Sequence, residues 1–377
     1  MASSGLTKAL VVLLMVIFVV GLFIGGLTVF YFANTRINNL SGEISNLESQ
    51  VSDLKGFQNA TYQDITILQN GTSLTGLYDS VRDSIVLIVG NIPGGTQQGS
   101  GFVYNSNGTV VVLTNYHVVH GTSDLSVTFA DGHGYSAKVL GTDPYSDLAV
   151  VSVNASASEF KPLSIVSSST LAVGDSVIAI GNPYGLVGSM TTGVVSALGR
   201  TITENTTGGF SIANIIQTST PINPGNSGGP LLNAAGNVVG ITTAIVSNSQ
   251  GLGFAVPSDT ILKELYALIT TGSYSGHSYL GLTGEDMTYD LAQQTGSSVT
   301  YGWKIDSVVS GGPSDGKLKV GDIIIALNGQ TITNGDELAS YLEEHTLPGD
   351  TIAVTAVRGT TQINVSVVLG QRPPPSS

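Results

Sequence analysis

Gly225-Asn226-Ser227-Gly228-Gly229-Pro230 is the stretch from which the rest of this chain is read. A serine hydroxyl is a poor nucleophile at its own pKa, so it needs a base within hydrogen-bond reach and a third group to hold that base in one tautomer. Upstream stand one histidine in Leu113-Thr114-Asn115-Tyr116-His117-Val118-Val119 and one aspartate in Ser146-Asp147-Leu148-Ala149-Val150, and these are the natural candidates. The glycines matter as much. The backbone of a Gly-x-Ser turn must fold back for the N–H groups of Gly225 and Ser227 to converge on one developing oxyanion, so Gly225, Asn226 and Ser227 form the candidate oxyanion hole.

The same residues also satisfy Gly-x-Ser-x-Gly, the nucleophile elbow of α/β-hydrolases, whose acid and histidine follow the serine. What comes after Ser227 argues against it. An elbow needs a helix directly after the serine, whereas Pro230-Leu231-Leu232-Asn233-Ala234-Ala235-Gly236-Asn237-Val238-Val239-Gly240-Ile241 reads as strand, Asn/Gly turn, strand. The order His, Asp, Ser is instead that of a chymotrypsin-type protease. A Gly-rich turn without chemistry is the bland alternative, but three motifs in the right order are hard to obtain by accident.

Three further segments join these motifs: Gly99-Ser100-Gly101-Phe102-Val103, Gly181-Asn182-Pro183-Tyr184-Gly185 and Gly251-Leu252-Gly253-Phe254-Ala255-Val256-Pro257. From about Gly76 to Pro373 the chain resembles the HtrA (high-temperature-requirement) family of serine proteases. The resemblance implies a mainly β fold of two six-stranded antiparallel barrels with the active site in their cleft. It implies His117 as general base, Asp147 as its orienting carboxylate, Ser227 as nucleophile, and Gly225 with Ser227 as oxyanion donors. It also implies a trimer through the N-terminal edges of the protease domains. Tyr116 departs from the family, where a small residue more often precedes the histidine; the change bears on a substrate subsite and removes no catalytic group.

Composition narrows the class. The chain has 377 residues, enough for two domains and a tail, and a formal net charge of −13 with only 10% charged residues. No basic patch suggests nucleic acid. There is no cysteine, so neither disulfides nor thiolate metal sites exist. No pair of histidines has metal-ligand context, and neither metal nor cofactor is expected. His120 and His133 sit beside turn glycines, and His277 and His345 lie in a linker and the second module; each is expected to be solvated.

Ala9 to Phe32 is apolar and uncharged, 24 residues between Lys8 and Arg36. At about 1.5 Å per residue it spans a hydrocarbon core of about 30 Å and is expected to be a retained membrane anchor with a cytoplasmic N-terminus. A cleaved signal peptide would have a shorter apolar region and a small-x-small end. Seven Asn-x-Ser/Thr sequons suit an outward-facing body. Ile37, Leu40, Ile44, Leu47, Val51 and Leu54 follow in alternating steps of three and four, the pattern of a coiled-coil stalk. The alternative, an amphipathic helix on the membrane, lacks a basic polar face. Residues 70–76 read as a linker. The expected organisation is a tip and anchor over 1–35, a stalk over 36–70, a protease domain over 76–272, a second module over 278–370 and a disordered tail over 371–377.

Between Ser84 and Val256 short β-branched runs alternate with Gly/Asn/Asp turns, among them Ile85–Val89, Val110–Leu113, Leu148–Val153 and Val177–Ile180. That patterning fits antiparallel barrels. Ser258 as N-cap and the stripe Ile261, Leu262, Leu265, Leu268 and Ile269 predict a closing helix to about Thr270. In this protease class the S1 pocket is walled by the segments Thr220–Asn226 and Ile241–Ile245, neither of them charged. Ile222, Ile241, Thr242 and Thr243 are the candidate pocket residues, and the side chain they admit is aliphatic and small to medium.

Tyr279-Leu280-Gly281-Leu282, Trp303-Lys304-Ile305-Asp306-Ser307-Val308-Val309 and Leu318-Lys319-Val320-Gly321-Asp322-Ile323-Ile324-Ile325-Ala326-Leu327-Asn328-Gly329 make the chain from Tyr279 to Leu369 resemble a PDZ domain, which adds an extended peptide as a strand beside a helix and receives its C-terminal carboxylate on backbone N–H groups. Tyr279, Leu280, Gly281 and Leu282 would form that site, with the helix near Asp336–His345. The expected function is a membrane-anchored, ATP-independent serine endopeptidase acting on misfolded or C-terminally tagged proteins outside the cytoplasmic membrane. A peptide-binding scaffold or chaperone without catalysis is the alternative from another class.

Overall fold

The computed structural model describes residues 15–16, 21, 25–27, 34–36, 39–45, 73–182, 188–203, 211–223, 225–243 and 252–374. The chain divides into two units, residues 1–66 and 67–377. In the first unit the described residues are helical, including a run over 39–45. Among the described residues no helix is long and apolar enough to cross a membrane. Most of the expected anchor and stalk, and residues 375–377 of the tail, lie outside the described residues.

The second unit opens with helix α1, Leu74–Val81, capped by Ser73, whose Oγ accepts from Gly76 N at 3.0 Å. The linker expected over 70–76 therefore ends earlier, because a serine before two leucines one turn apart starts a helix. Leu77 and Val81 of this helix are buried in the main core.

Strands β1 (Ile85–Ile92), β2 (Gly95–Ser106), β3 (Thr109–Thr114), β4 (Ser123–Thr128), β5 (Gly134–Asp143) and β6 (Leu148–Val153) close into a barrel in the order β1-β2-β3-β6-β5-β4. Each run foreseen in this half lies in a strand because β-branched side chains pack well on a pleated surface while the intervening Asn, Asp and Gly residues turn the chain. Strands β7 (Ser176–Gly181), β8 (Ser189–Thr203), β9 (Ser211–Thr218), β10 (Pro230–Asn233), β11 (Val238–Thr243) and β12 (Gly253–Pro257) close a second sheet in the order β10-β11-β12-β9-β8-β7. The segment after Ser227 is strand, turn, strand: β10 pairs antiparallel with β11, Pro230 opposite Ile241.

One apolar cluster runs through both barrels, with Phe102 and Leu113 from the first and Ile178, Ile180 and Ile241 from the second. Each such side chain contributes about 1.5–3 kcal/mol by leaving water.

Helix α2 is the short turn Tyr116–Val119, and α3 is Ser258–Thr270. The length of α3 is as the stripe predicts, but its cap differs. Pro257 holds the cap position, and Ser258 Oγ donates instead to Val166 O at 2.6 Å, because β12 runs straight into the helix. Ile261, Leu265 and Leu268 face the core.

The last module contains β13 (Ser278–Tyr279), β14 (Leu282–Asp286), α4 (Tyr289–Thr295), β15 (Trp303–Val308), β16 (Ile323–Leu327), β17 (Gln330–Thr331), α5 (Gly335–His345), β18 (Thr351–Arg358), β19 (Thr361–Val368) and β20 (Gly370–Gln371). Its main sheet runs β14-β15-β16-β18-β19, with β17 beside β16. Leu338 and Tyr341 of α5 close its own core over Ile305, Ile324 and Val354.

Candidate active site

His117 sits in α2, directly after β3, and Asp147 in the turn before β6; antiparallel pairing of β3 with β6 places Thr114 opposite Ala149 and so brings the two ends together. His117 Nδ1 lies 2.8 Å from Asp147 Oδ2 and 3.0 Å from Oδ1, and His117 N donates to Oδ1 at 3.0 Å. A carboxylate can only accept, so the proton of neutral His117 resides on Nδ1 and Nε2 keeps its lone pair. Asp147 is 1% exposed in its side chain and has φ of 50°. That left-handed conformation is uncommon for a residue with a Cβ, and it is held by two bonds to the Asp147 carbonyl, from Asn115 Nδ2 at 3.0 Å and Tyr116 N at 3.1 Å. Gln97 Nε2 donates to the carbonyl of His117.

Ser227 is 5% exposed and lies in the turn leading into β10. The turn is stitched to the first barrel by Ser100 N, which donates to Ser227 O at 2.7 Å. Gly99 shows how close the two segments come: a Cβ there would lie 2.6 Å from Val118, beside His117, and 3.1 Å from Ser227 O. Gly228 has φ of 85°, and its Cβ would lie 2.1 Å from Ser100 O, so the position after the serine accepts only glycine. The three candidate catalytic residues are thus delivered to one cleft by separate pieces of both barrels.

Of the four candidate pocket residues, Ile222 is half-buried and packs beside Val195 and Ile216 of the second barrel. Ile241 is fully buried in the core. Thr242 Oγ1 donates to Asn226 O at 2.7 Å, and Thr243 Oγ1 donates to Asp147 Oδ2 at 2.9 Å. Successive side chains of β11 point to opposite faces, so Thr242 meets the turn that carries Ser227 while Thr243 meets Asp147, and the role of Ile241, Thr242 and Thr243 as pocket walls stays an expectation. Residues 244–251, which carry the rest of that expected wall, lie outside the described residues.

In the last module Leu280, Gly281 and Leu282 run along a cavity of about 410 Å³ whose opposite side is Leu338, Ala339 and Leu342 of α5. Tyr279 lines it too, as do Thr201, Ser211 and Ala213 of the protease strands. Val309 N donates to Gly281 O and Ser314 Oγ to Leu280 O at 2.8 Å, which set the course of this segment. A trough between a strand and a helix suits an extended peptide.

His277 overturns one expectation. It is 4% exposed, with Nδ1 2.9 Å from Glu343 Oε2 of α5 and Nε2 2.5 Å from Asp143 Oδ2 at the end of β5. Two carboxylate partners require both nitrogens to donate, so the ring is an imidazolium. Burial opposes that charge, but the hydrogen bonds to Asp143 and Glu343 outweigh it and push the pKa up to about 9. Nothing in the local sequence signals this, because both partners are over sixty residues away in the chain. Glu264 of α3 stands 4.0 Å from His277 Nε2, accepts from Ser146 Oγ, and has its other oxygen buried without a donor. Burial and the charge of Asp143 raise its pKa well above the usual carboxylate range.

Among the described residues, two groups of side chains have ligand atoms close enough for a metal ion: Asp131, His133 and Glu159 at the surface, and the buried Asp143, Glu264 and His277. In the buried group the imidazolium has no lone pair to offer and is paired with Asp143.

Residues 99–241 match the trypsin-like peptidase domain family and residues 278–369 the PDZ domain family. Protease Do-like 1, chloroplastic, of Arabidopsis thaliana is 38% identical over 307 residues, covering 78% of this chain and 67% of that protein. The putative serine protease HhoA of Synechocystis is 37% identical, covering 74% of this chain and 72% of its own length. Among solved structures, the HtrA-type protease AlgW with a tripeptide superposes with a TM-score of 0.66 at 32% identity, covering 81% of this chain and 99% of that one.

Proposed function

The chain belongs to the HtrA-type trypsin-like serine proteases and is a serine endopeptidase; on that premise we propose that His117, Asp147 and Ser227 are its catalytic triad and that it is anchored in the cell membrane, cutting misfolded or C-terminally tagged proteins outside the cytoplasm. The observation that carries the triad is the double contact of His117 Nδ1 with the Asp147 carboxylate. It leaves Nε2 as the basic nitrogen. Ser227 Oγ attacks the scissile carbonyl carbon as its proton passes to Nε2, and the oxyanion is received by the N–H groups of Gly225 and Ser227. Collapse breaks the C–N bond, and His117 returns the proton to the leaving amine. Water, deprotonated by the same nitrogen, then hydrolyses the acyl-enzyme.

Ile222 and the uncharged segment around it support a small to medium aliphatic residue in S1. The trough along Tyr279–Leu282 supports capture of an apolar C-terminal peptide at the PDZ domain. The uncharged run Ala9–Phe32 supports the membrane anchor, and parallel entry of every copy into one membrane supports a parallel homo-oligomer, a trimer through the protease domains. Labelling with a fluorophosphonate probe, with cleavage of casein beside it, tests the catalytic reading: the parent is labelled and cleaves, Ser227→Ala does neither. Light scattering of the detergent-solubilised full chain beside one starting at Gly71 tests the assembly. Trimers in both support the protease interface, whereas a dimer that becomes monomeric without residues 1–70 assigns assembly to the stalk.

A further inference from the structure

We propose that Ser100 and Thr242 are positioning residues that hold the carbonyls of Gly225 and Asn226, and through them aim the amide of Ser227 at the substrate oxygen; this rests on the reading of Ser227 as nucleophile. A trans peptide unit is planar, with its C=O and N–H pointing in opposite directions. The carbonyl of Asn226 and the N–H of Ser227 belong to one such unit, so whatever holds the first directs the second. Asn226 O accepts from Thr242 Oγ1 at 2.7 Å and from Gly229 N at 2.9 Å. The single hydroxyl proton of Thr242 also has Gly229 O at 3.1 Å, and the shorter contact is to Asn226.

The preceding unit is pinned at both ends. Asn226 N donates to Asn223 O at 2.9 Å, and Gly225 O accepts from Ser100 Oγ at 2.6 Å. The direction of the second bond is fixed by a third. Asn182 N donates to Ser100 Oγ at 2.7 Å and can only donate, so the serine hydroxyl must turn its proton to Gly225 O. Ser100 also reaches the far side of the nucleophile, its N–H on Ser227 O and its own carbonyl held by Thr114 Oγ1 at 2.7 Å. Ser100 and Thr242 are both fully buried. Water has no access to replace either hydroxyl, and a missing one leaves a buried carbonyl with one donor fewer and its peptide unit aimed by the single remaining bond.

The full-length chain and three variants test this with one fluorophosphonate probe, whose phosphoryl oxygen occupies the oxyanion position. The labelled fraction at completion counts competent sites, and the labelling rate per site measures how well the amides are aimed. Removing a single oxyanion donor elsewhere costs about 10²–10³ in rate, and misaiming one costs less. We expect Thr242→Val to lower the rate per site about tenfold and Ser100→Ala about thirtyfold. In both, the kcat for casein falls in parallel and KM stays within about twofold, while Thr242→Ser restores the rate. Rates per site within about twofold of the parent overturn the proposal, whether or not the labelled fraction or the thermal midpoint falls, since only a general structural role would then remain. Failure of the parent itself to label would instead overturn the assignment of Ser227.

Discussion

Thr243 Oγ1 donates to Asp147 Oδ2 at 2.9 Å, joining the last residue of β11 in the second barrel to the carboxylate that precedes β6 in the first. The carboxylate thereby has donors on three sides: Thr243, the ring of His117 and the backbone N–H of His117. Its orientation is a property of both barrels together, and the imidazole it faces has little room to turn.

Replacing Asp147 by Asn preserves shape but offers an N–H where His117 Nδ1–H needs an acceptor. The wrong tautomer is then favoured, and kcat for casein is expected to fall by about 10⁴ with KM little changed. Ser227→Ala removes the attacking atom and is expected to leave no activity above that of a mock preparation. A kcat for Asp147→Asn within tenfold of the parent would refute the assignment.

Thr243→Val removes one donor from a buried carboxylate at nearly constant volume. Hydrogen bonds to charged groups contribute about 1.5–3 kcal/mol, so kcat is expected to fall about tenfold to a hundredfold, and Thr243→Ser to recover most of it. Steady-state kinetics on casein, normalised by fluorophosphonate titration, decide this.

His277 links stability to pH. Its pKa is about 9 in the folded chain against 6.5 for the free side chain. The imidazolium faces Asp143 and Glu343 directly, with Glu264 and the rings of Tyr145 and Tyr274 around it. A raised pKa stabilises the fold fully below about pH 6.5 and loses that contribution as pH rises through 9, a difference of about 3 kcal/mol. The raised pKa of Glu264 acts in the same direction. Calorimetry between pH 6.5 and 9.5 should show the thermal midpoint falling by several degrees in the parent and distinctly less in His277→Gln.

Gly228→Ala places a Cβ where φ is 85° and Ser100 O would be 2.1 Å away. Strain and collision together should cost about 3 kcal/mol or more, and the turn carrying Ser227 must move to relieve them. Loss of fluorophosphonate labelling at a temperature where circular dichroism still shows a folded protein is the expected result.

A peptide with a free apolar C-terminus is expected to bind the full chain, and its C-terminal amide several-fold more weakly, because the segment Leu280–Leu282 would lose a carboxylate to receive. The full chain is the right object, since Thr201, Ser211 and Ala213 of the protease strands border the same cavity. Equal affinities in isothermal titration would remove the carboxylate site.

Legibility followed the distance over which each signal acts. The strand runs, the turn after Ser227 and the closing helix depend on periodicity and turn chemistry within a dozen residues, and they stand where the patterning places them. The partners of β11 did not follow, since a run such as Ile241-Thr242-Thr243 shows which residues alternate but not that Thr242 meets Asn226 O and Thr243 meets Asp147. His277 was misjudged for a related reason: beside Gly276 it has the neighbours of a solvated residue.

The amino-acid sequence by itself determined the chemistry and the architecture: a serine, a histidine and an aspartate in an order that one type of barrel pair brings together, followed by a second module. Tertiary structure alone decided which hydroxyls serve the site and which charges are buried. Ser100 meets Gly225 across 125 positions of chain and His277 meets Asp143 across 134. A hydrogen bond depends on tenths of an ångström and on direction, and those are set only when the strands close into register and the core excludes the water that would otherwise satisfy each group alone.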